Sequence, residues 1–265
     1  MEKIIKNVLS VAILFPLLLL SSCYASPHRI IMPTESFGMV RHSMLLKICQ
    51  GKECKIKTST STSSGSFFAR SRKDSDYSFF LTAGHSCAKP TIPKFKTGPT
   101  IELIGTSIAI VDENLNRMPA DVIRVDKDND LCVLKVLTAN NDKIEYLDIA
   151  NFPPSRGERI YNMAAPYGYF GRETVLLFEG FFAGRPSLHE SVYSLPTRPG
   201  SSGSPILNSS MQIVGLVYAG VEKLENLSIA SPHDSILMIV EDVLKEDRDV
   251  YEFCILGKCF IFYRR

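Results

Sequence analysis

Residues 200–205 read Gly-Ser-Ser-Gly-Ser-Pro, and Ser202 near their centre is the starting point for predicting the fold. A serine hydroxyl becomes a nucleophile only where a base takes its proton and N–H donors receive the developing oxyanion. The flanking glycines permit a tight turn, so the amides of Gly200, Ser201 and Ser202 can face one point. The same string also occurs in ordinary loops, because glycine and serine favour turns. It predicts a nucleophile only if a base and a carboxylate accompany it.

A candidate base lies upstream, at the end of an apolar segment. Residues 79–84, Phe-Phe-Leu-Thr-Ala-Gly, lead directly to His85, so a loop at a strand end would hold the imidazole in a cleft. A general base must be neutral near pH 7 and within reach of the hydroxyl, and histidine meets the first requirement unaided. The other histidines have less suitable settings, in the N-terminal segment, a polar loop or a helix start: His28, His42, His189 and His233.

The candidate carboxylate is Asp130, which immediately precedes the apolar segment Leu131–Leu137. That position would bury the carboxylate against the core, where it can fix the tautomer of the imidazole and stabilise the imidazolium that forms. Asp126 and Asp128 are interpreted as solvated turn residues. His85 and Asp130 are 45 residues apart, a spacing suited to two corners of one six-stranded barrel.

The rest of the chain reads as two runs of short strands separated by turns, with Asn151–Gly157 as the connector and Thr58–Ser66 as a Ser/Thr-rich loop. The first run is Met44–Ile48, Gly65–Arg70, Tyr77–Thr82, Ile101–Val111, Ala120–Val125 and Leu131–Leu137. The second run is Glu158–Ala164, Val175–Ala183, Val192–Leu195, Pro205–Leu207, Gln212–Ala219 and Asn226–Ser231. Two such runs with no helix between them favour a pair of barrels over a parallel α/β sheet.

We therefore predict an all-β chain of two six-stranded antiparallel β-barrels followed by a C-terminal α-helix. The first barrel would span residues 39–148 and contain His85 and Asp130, and the second would span 149–232 and contain Ser202. An apolar stripe predicts the helix at 233–246. Residues 247–265 are expected to form a tail with a short hairpin.

The chain order His85, Asp130, Ser202 is the order found in chymotrypsin-type proteases. From about Met39 to Leu244 the chain resembles a trypsin-like peptidase of the chymotrypsin clan. The resemblance implies a serine endopeptidase that works through a His-Asp-Ser triad and an acyl-enzyme, with oxyanion-hole amides from the serine loop.

Two bacterial branches of that clan are the most similar. Ala120–Asp126 leading to Asp130–Lys135, and Ser228–Pro232 running into a helix, resemble the high-temperature-requirement proteases. Tyr193–Thr197 ahead of Gly200–Pro205 resembles the glutamyl endopeptidases. No PDZ domain is expected after the helix, because the remaining residues are too few to fold one.

The departures from the family pattern bear on activation and specificity. Ser201 stands where the digestive enzymes have the aspartate that binds a new N-terminus, so activation by that ion pair is not expected. The primary pocket is expected to be neutral and to prefer small or medium apolar side chains, since Pro196 replaces the aspartate that selects Arg or Lys. Its expected lining residues are Thr197, Val217, Tyr218 and Gly220.

The composition favours a solvated surface over a nucleic-acid-binding face. The net charge is +2, with 22% charged and 45% hydrophobic residues, and the basic residues are scattered along the chain. The predicted partners are therefore protein or peptide substrates, and neither a metal nor an organic cofactor is needed. A non-catalytic binding protein on the same scaffold is the alternative, because fold does not fix function.

The N-terminus has the features of an export signal. Lys3 and Lys6 precede the apolar run Val8–Leu20, which is short for a membrane span, and small residues follow it. Residues 1–25 would then be a signal peptide, with a periplasmic or extracellular product. Two processing sites remain open: cleavage before Ser26, or a lipobox-like site that would make Cys23 the lipidated first residue and a membrane anchor.

Six cysteines remain once Cys23 is assigned to the signal, an even number that is consistent with disulfides in an exported chain. The pairs Cys49–Cys54 and Cys254–Cys259 each bracket a Gly-Lys turn and could close a hairpin. Cys87 and Cys132 are left, each two residues past a proposed triad member, so the triad would bring them together. A zinc site built from the two local pairs is the competing interpretation.

Overall fold

A computed structural model describes residues 30–89, 92, 98–139, 141, 143–172, 174–248, 250–255 and 258–263, the last two stretches by their backbone. The chain separates into two units, Met1–Met32 and Pro33–Arg265, and all described helices and strands lie in the second. The predicted signal peptide and Cys23 lie outside the described residues. Within them, no helix is both long enough and apolar enough to cross a membrane.

Six antiparallel strands close the first barrel in the order β1-β2-β3-β6-β5-β4. Its interior is filled by large apolar side chains that are almost fully buried, among them Phe67, Phe80, Ile110 and Leu134. The strands are β1 (Phe37–Gln50), β2 (Glu53–Arg70), β3 (Tyr77–Ala83), β4 (Thr100–Val111), β5 (Arg117–Asp126) and β6 (Leu131–Leu137). A four-residue helix, α1 (Gly84–Cys87), follows β3.

The interpretation of Thr58–Ser66 as a loop is wrong, because these residues form the middle of β2 and pair in continuous register with β1. Composition had suggested a loop, but the branched Cβ of threonine favours a strand, and the partner strand supplies the hydrogen bonds. β1 and β2 also extend well beyond the predicted Met44–Ile48 and Gly65–Arg70 segments. Their shared projection, residues 43–60, is called the β1–β2 ribbon below.

Six further strands close the second barrel in the order β10-β11-β12-β9-β8-β7. Its core includes Ile160, Tyr193, Ile206 and Val214, all fully buried. The strands are β7 (Arg159–Ala164), β8 (Leu176–Gly184), β9 (Ser191–Tyr193), β10 (Pro205–Leu207), β11 (Ile213–Val221) and β12 (Leu224–Pro232). Two closed six-stranded antiparallel barrels confirm the predicted fold class.

Helix α2 (His233–Glu246) follows the second barrel and packs against β11 and β12 of that barrel and β5 and β6 of the first. Just past its end, the buried carboxylate of Asp247 accepts hydrogen bonds from the Ser71 hydroxyl at 2.7 Å and the Arg72 amide at 2.5 Å. The helix therefore joins the two barrels. Beyond it, β13 (Val250–Ile255) and β14 (Lys258–Tyr263) form an antiparallel pair.

Two disulfides lie in the first barrel. Cys49–Cys54 crosses the β1–β2 ribbon, and Cys87–Cys132 joins α1 to β6. Both were expected from the sequence, and the first excludes Cys49 and Cys54 as thiolate ligands of a zinc ion. The backbone register places Cys254 opposite Cys259, but their side chains lie outside the described part, so their disulfide stays a prediction.

Candidate active site

The first barrel joins His85 and Asp130 by two hydrogen bonds. The Nδ1 atom of His85 lies 2.6 Å from Oδ2 of Asp130, and the backbone N–H of His85 donates to Oδ1 at 2.7 Å. A third bond runs from the Gly84 amide to the Asp130 carbonyl oxygen at 2.8 Å. With Nδ1 held by the carboxylate, Nε2 is the ring nitrogen left to exchange a proton with a substrate or a nucleophile.

Asp130 has a strained backbone, with φ of 51°, and its neighbour Asn129 is held across the barrels. The Oδ1 atom of Asn129 accepts from the Ser235 hydroxyl of α2 at 2.9 Å and lies 3.0 Å from Nδ1 of His189. Its Nδ2 donates to Asp126 at 2.6 Å. A left-handed conformation in a non-glycine residue persists only where its surroundings determine it, and these contacts supply that support.

Ser202 lies in the tight loop between β9 and β10, with its hydroxyl directed at the second barrel. The hydroxyl donates to the Tyr218 carbonyl oxygen of β11 at 3.3 Å, a long hydrogen bond. Gly203, which follows it, has φ of 85°, and a Cβ there would come within 2.2 Å of the Ser64 carbonyl oxygen. Glycine is therefore required for the loop to approach β2 so closely.

The peptides around Ser202 are held by their carbonyl groups. The Pro199 carbonyl oxygen accepts from the Tyr167 amide at 2.5 Å, and that of Ser201 accepts from the Ser204 amide at 3.0 Å. The Gly200 N–H belongs to the same peptide as the Pro199 carbonyl, and the Ser202 N–H to the same peptide as the Ser201 carbonyl. Because the N–H and C=O of a trans peptide point in opposite directions, both amides point away from the partners of those carbonyls. Neither amide has a hydrogen-bond partner among the described residues.

The Ser201 amide differs from its neighbours, because it donates to the Arg198 carbonyl oxygen at 2.9 Å. This bond revises the expectation that three amides of the loop share one role. Two remain free for a developing oxyanion, those of Gly200 and Ser202.

Ser64 of β2 holds the same loop from the first barrel. Its hydroxyl donates to the Gly200 carbonyl oxygen at 2.8 Å and accepts from the Ala165 amide at 2.9 Å. Its own amide donates to the Ser202 carbonyl oxygen at 2.7 Å. This fully buried serine was missed in the sequence, because nothing distinguishes it from the other hydroxyl residues of Thr58–Ser66.

A cavity of about 450 Å³ opens on one side of Ser202. Of the expected pocket residues, Thr197, Tyr218 and Gly220 line it, whereas Val217 is buried in the barrel core and bonds the loop through its backbone. The expectation of a neutral pocket is also revised, since the walls carry Arg198, Glu222 and Glu225, with Arg198 paired to Glu225 at 3.4 Å.

Tyr218 contributes a phenol as well as a carbonyl to this side of the site. Burial, then the nearby carboxylates of Glu190 and Asp130, raise the pKa of Tyr218 to about 12. The phenol is therefore protonated at neutral pH, and its O–H lies 3.5 Å from Glu190.

A second cavity, of about 540 Å³, opens on the other side of Ser202. His85, Ser202 and Gly200 share its wall, so both cavities meet at the serine. The remaining wall comes from β1, β2 and the segment after α1: His42, Met44, Ser61, Thr62, Ser63, Ser86, Ala88, Lys89 and Pro199. The two cavities share Ser202 and Pro199, His85 lines the second of them, and Asp130 lies behind His85, bonded to its ring.

Two barrels, a His–Asp pair and a serine loop with two free amides are the features of the two-barrel serine peptidases. The sequence model of the trypsin-like peptidase domain matches residues 58–216, which is more than half of the chain. The chain belongs to the trypsin-like peptidase family, and the predicted family is confirmed. No curated protein sequence matches the chain significantly.

Solved structures of low sequence identity have the same fold. The chain is similar to a serine endoprotease from Yersinia pestis, with 17% identity, a TM-score of 0.53 and coverage of 83% of this chain and 66% of that one. It is also similar to the active form of the Rv3671c protease from M. tuberculosis, with 13% identity, a TM-score of 0.54 and coverage of 79% and 81%. At this identity the likeness extends to the fold alone.

Proposed function

We propose that this protein is an exported serine endopeptidase that cleaves peptide bonds through Ser202, His85 and Asp130. The observation that carries the proposal is the His85–Asp130 hydrogen bond at the wall of the cavity that also contains Ser202. His85 has Nδ1 engaged and a half-exposed ring, so Nε2 is available as the general base.

The proposed reaction begins with rotation of the Ser202 hydroxyl from the Tyr218 carbonyl oxygen toward His85. Such hydrogen bonds are often long in free enzymes and tighten only when substrate binds. His85 then takes the proton as the serine oxygen attacks the scissile carbonyl, and Asp130 stabilises the imidazolium. The oxyanion lies against the amides of Gly200 and Ser202, the proton passes to the leaving amine, and water later hydrolyses the acyl-enzyme.

A fluorophosphonate probe, which reacts with activated serines, tests the catalytic assignment. Wild-type protein is expected to be labelled, and labelling is expected to vanish in Ser202→Ala and His85→Ala, because one loses the nucleophile and the other its base. Ser201→Ala is the matched control for Ser202→Ala and should keep its label. A folded, processed wild type that takes no label would favour the alternative of a binding protein on the peptidase scaffold.

Export is supported by the two disulfides, since disulfides persist in oxidising compartments. We propose a periplasmic or extracellular location, and two forms of the mature N-terminus remain to be distinguished. The intact mass of the processed protein does so: a diacylglyceryl adduct at Cys23 indicates a lipid anchor, whereas an unmodified chain that starts at Ser26 indicates a free product.

A further inference from the structure

The β1–β2 ribbon leaves one edge of β2 open. β2 pairs with β1 along its whole length, but with β3 only from Gly65 onward. Between Glu53 and Ser63, no described strand occupies the other edge, and the side chains from Glu53 to Ser61 are exposed. Since an open strand edge presents unpaired N–H and C=O groups, it is a template for another extended chain.

The register identifies the backbone groups that face this edge. The ribbon has a two-residue turn at Gly51 and Lys52, with Gln50 opposite Glu53, so the odd-numbered residues of β2 exchange hydrogen bonds with β1. Ser64 confirms the alternation, because its amide donates away from β1, to Ser202. The outward-facing N–H and C=O groups therefore belong to alternate residues: Cys54, Ile56, Thr58, Thr60 and Thr62.

This edge runs into the catalytic cleft. Ser61, Thr62 and Ser63 line the cavity shared by His85 and Ser202, and the ribbon continues from there to its tip. A polypeptide that leaves the cleft along β2 passes from Thr62 toward Cys54. The bound chain would run opposite to β2, as an antiparallel ladder requires. From Thr62 to Cys54 the edge is about 27 Å long, at about 3.4 Å per residue.

Charge indicates which chain fits the edge. Lys55 and Lys57 share a face with Ser61, by the two-residue period of a strand, and neither has an ion-pair partner among the described residues. Lys89 lies in the cavity itself. A second copy of the ribbon would set lysines against lysines, whereas a chain with acidic side chains on that face would be attracted.

We propose that the open β2 edge, Cys54–Thr62, binds the part of a polypeptide substrate that follows the scissile bond, as an added antiparallel strand. This inference rests on the proposed peptidase function and names its substrate class. The preferred substrates are chains whose first roughly eight residues after the cleaved bond stay extended and carry acidic side chains.

Two features of the substrate test the strand geometry with wild-type enzyme. Peptides share the residues before the scissile bond and end either about two or about ten residues after it. The longer peptide is expected to have kcat/KM raised about tenfold by the additional backbone hydrogen bonds.

Methylating single backbone nitrogens of the long peptide should lower kcat/KM about three- to tenfold at every second position and little between them. No gain with length, or losses without alternation, would overturn the proposal.

Variants test the same edge from the side of the enzyme. Thr58→Pro removes an outward N–H, and the control Thr106→Pro makes the same change on the opposite, exposed edge of the sheet in β4. The ratio of kcat/KM for long and short peptides should fall in the first variant and persist in the second. If Thr58→Pro does not fold, the methylation pattern decides alone.

Charge reversal and a short substrate complete the test. The double change of Lys55 and Lys57 to Glu should invert a preference for Asp over Lys in the distal part of the peptide, and an unchanged preference would contradict the assigned charge. Ser202-dependent hydrolysis of the short peptide reports on the proposed function independently of the edge. Its presence without any length effect refutes the edge alone, whereas its absence refutes the peptidase assignment itself.

Discussion

In the first barrel, His85 and Asp130 are joined directly, through hydrogen bonds that run between neighbouring strand ends. In the second barrel, Ser202 makes no such bond to its proposed base, and its hydroxyl donates to the Tyr218 carbonyl oxygen. The loop around Ser202 is held from both barrels, by Ser64 of the first and by Tyr167 and Val217 of the second. The acid–base pair is thus a local product of one barrel, whereas the nucleophile loop depends on the contact between the two barrels.

The largest expected effect comes from breaking the local pair. Asp130→Asn keeps the shape of the side chain but removes the charge that selects the tautomer of His85, so kcat should fall about 10⁴-fold. KM should change little, because the side chain is proposed to act through His85 and not on substrate directly. Steady-state kinetics on a peptide substrate measure both constants.

Asp128→Asn is the matched control for that change. It removes a neighbouring exposed carboxylate that makes no bond to His85, and kcat should stay within about twofold of wild type, since exposed charges have small effects. Equal losses in the two variants would mean that local charge, and not the His85–Asp130 hydrogen bond, supports activity.

The difference between local contacts and contacts over long distances in the chain also explains which parts could be predicted from sequence. The His85–Asp130 contact and the helix at 233–246 could be predicted because each has a local pattern: an apolar run beside each of the two residues, and a stripe with helical period. The strand at Thr58–Ser66 was missed, because its pairing with β1 is not visible in its composition. The two runs of strands led to the fold prediction, and the order of the three proposed catalytic residues led to the family, since each motif alone is ambiguous.

The contacts that hold the candidate site together are not visible in the sequence. Ser64 contacts Gly200 from 136 positions away in the chain, and a sequence offers no sign of such a contact. Val217 was assigned to the pocket by its likeness to a family position, but its side chain turns into the core and its backbone bonds the serine loop. Residues that act through their backbone escape prediction because side-chain type does not encode them.

A smaller effect is expected from loosening the contact between the barrels. Ser64→Ala removes the hydroxyl that binds both the Gly200 carbonyl and the Ala165 amide, and it leaves two buried groups unpaired. Because the Gly200–Ser201 peptide connects the two amides proposed to face the oxyanion, loosening it should lower kcat about ten- to a hundredfold, less than outright loss of an oxyanion donor. The shape of the pH profile should be preserved, because the His85–Asp130 pair is not altered.

Ser66→Ala provides the control on the same strand. The hydroxyl of Ser66 is buried like that of Ser64, but it has no hydrogen-bond partner in the part of the chain that the structure describes, so its removal should leave kcat unchanged. Both variants are compared for kcat, for the rate of fluorophosphonate labelling and for unfolding in denaturant. A Ser64→Ala enzyme with wild-type kcat would show that the loop keeps its shape without the Ser64 hydroxyl, held by the remaining backbone bond from residue 64 and by the second barrel.

The smallest expected effect concerns Tyr218, whose carbonyl receives the Ser202 hydroxyl in the second barrel. Its pKa is raised to about 12 by burial first, and then by Glu190 and Asp130, whereas in the unfolded chain the phenol ionises near 10. Because the folded state keeps the proton longer, this group stabilises the fold fully below pH 10. That contribution is lost as the pH rises from about 10 to about 12.

Tyr218→Phe should therefore make the fall of the unfolding free energy between pH 10 and 12 less steep, and the difference in slope is at most that of one proton. Activity at neutral pH should stay close to wild type. Urea unfolding at a series of alkaline pH values measures the slope, and Tyr169→Phe, at an exposed phenol, controls for the loss of a tyrosine as such. Equal slopes in wild type and Tyr218→Phe would mean that the phenol ionises alike in both states. Neither burial nor the carboxylates of Glu190 and Asp130 would then hold the proton on Tyr218.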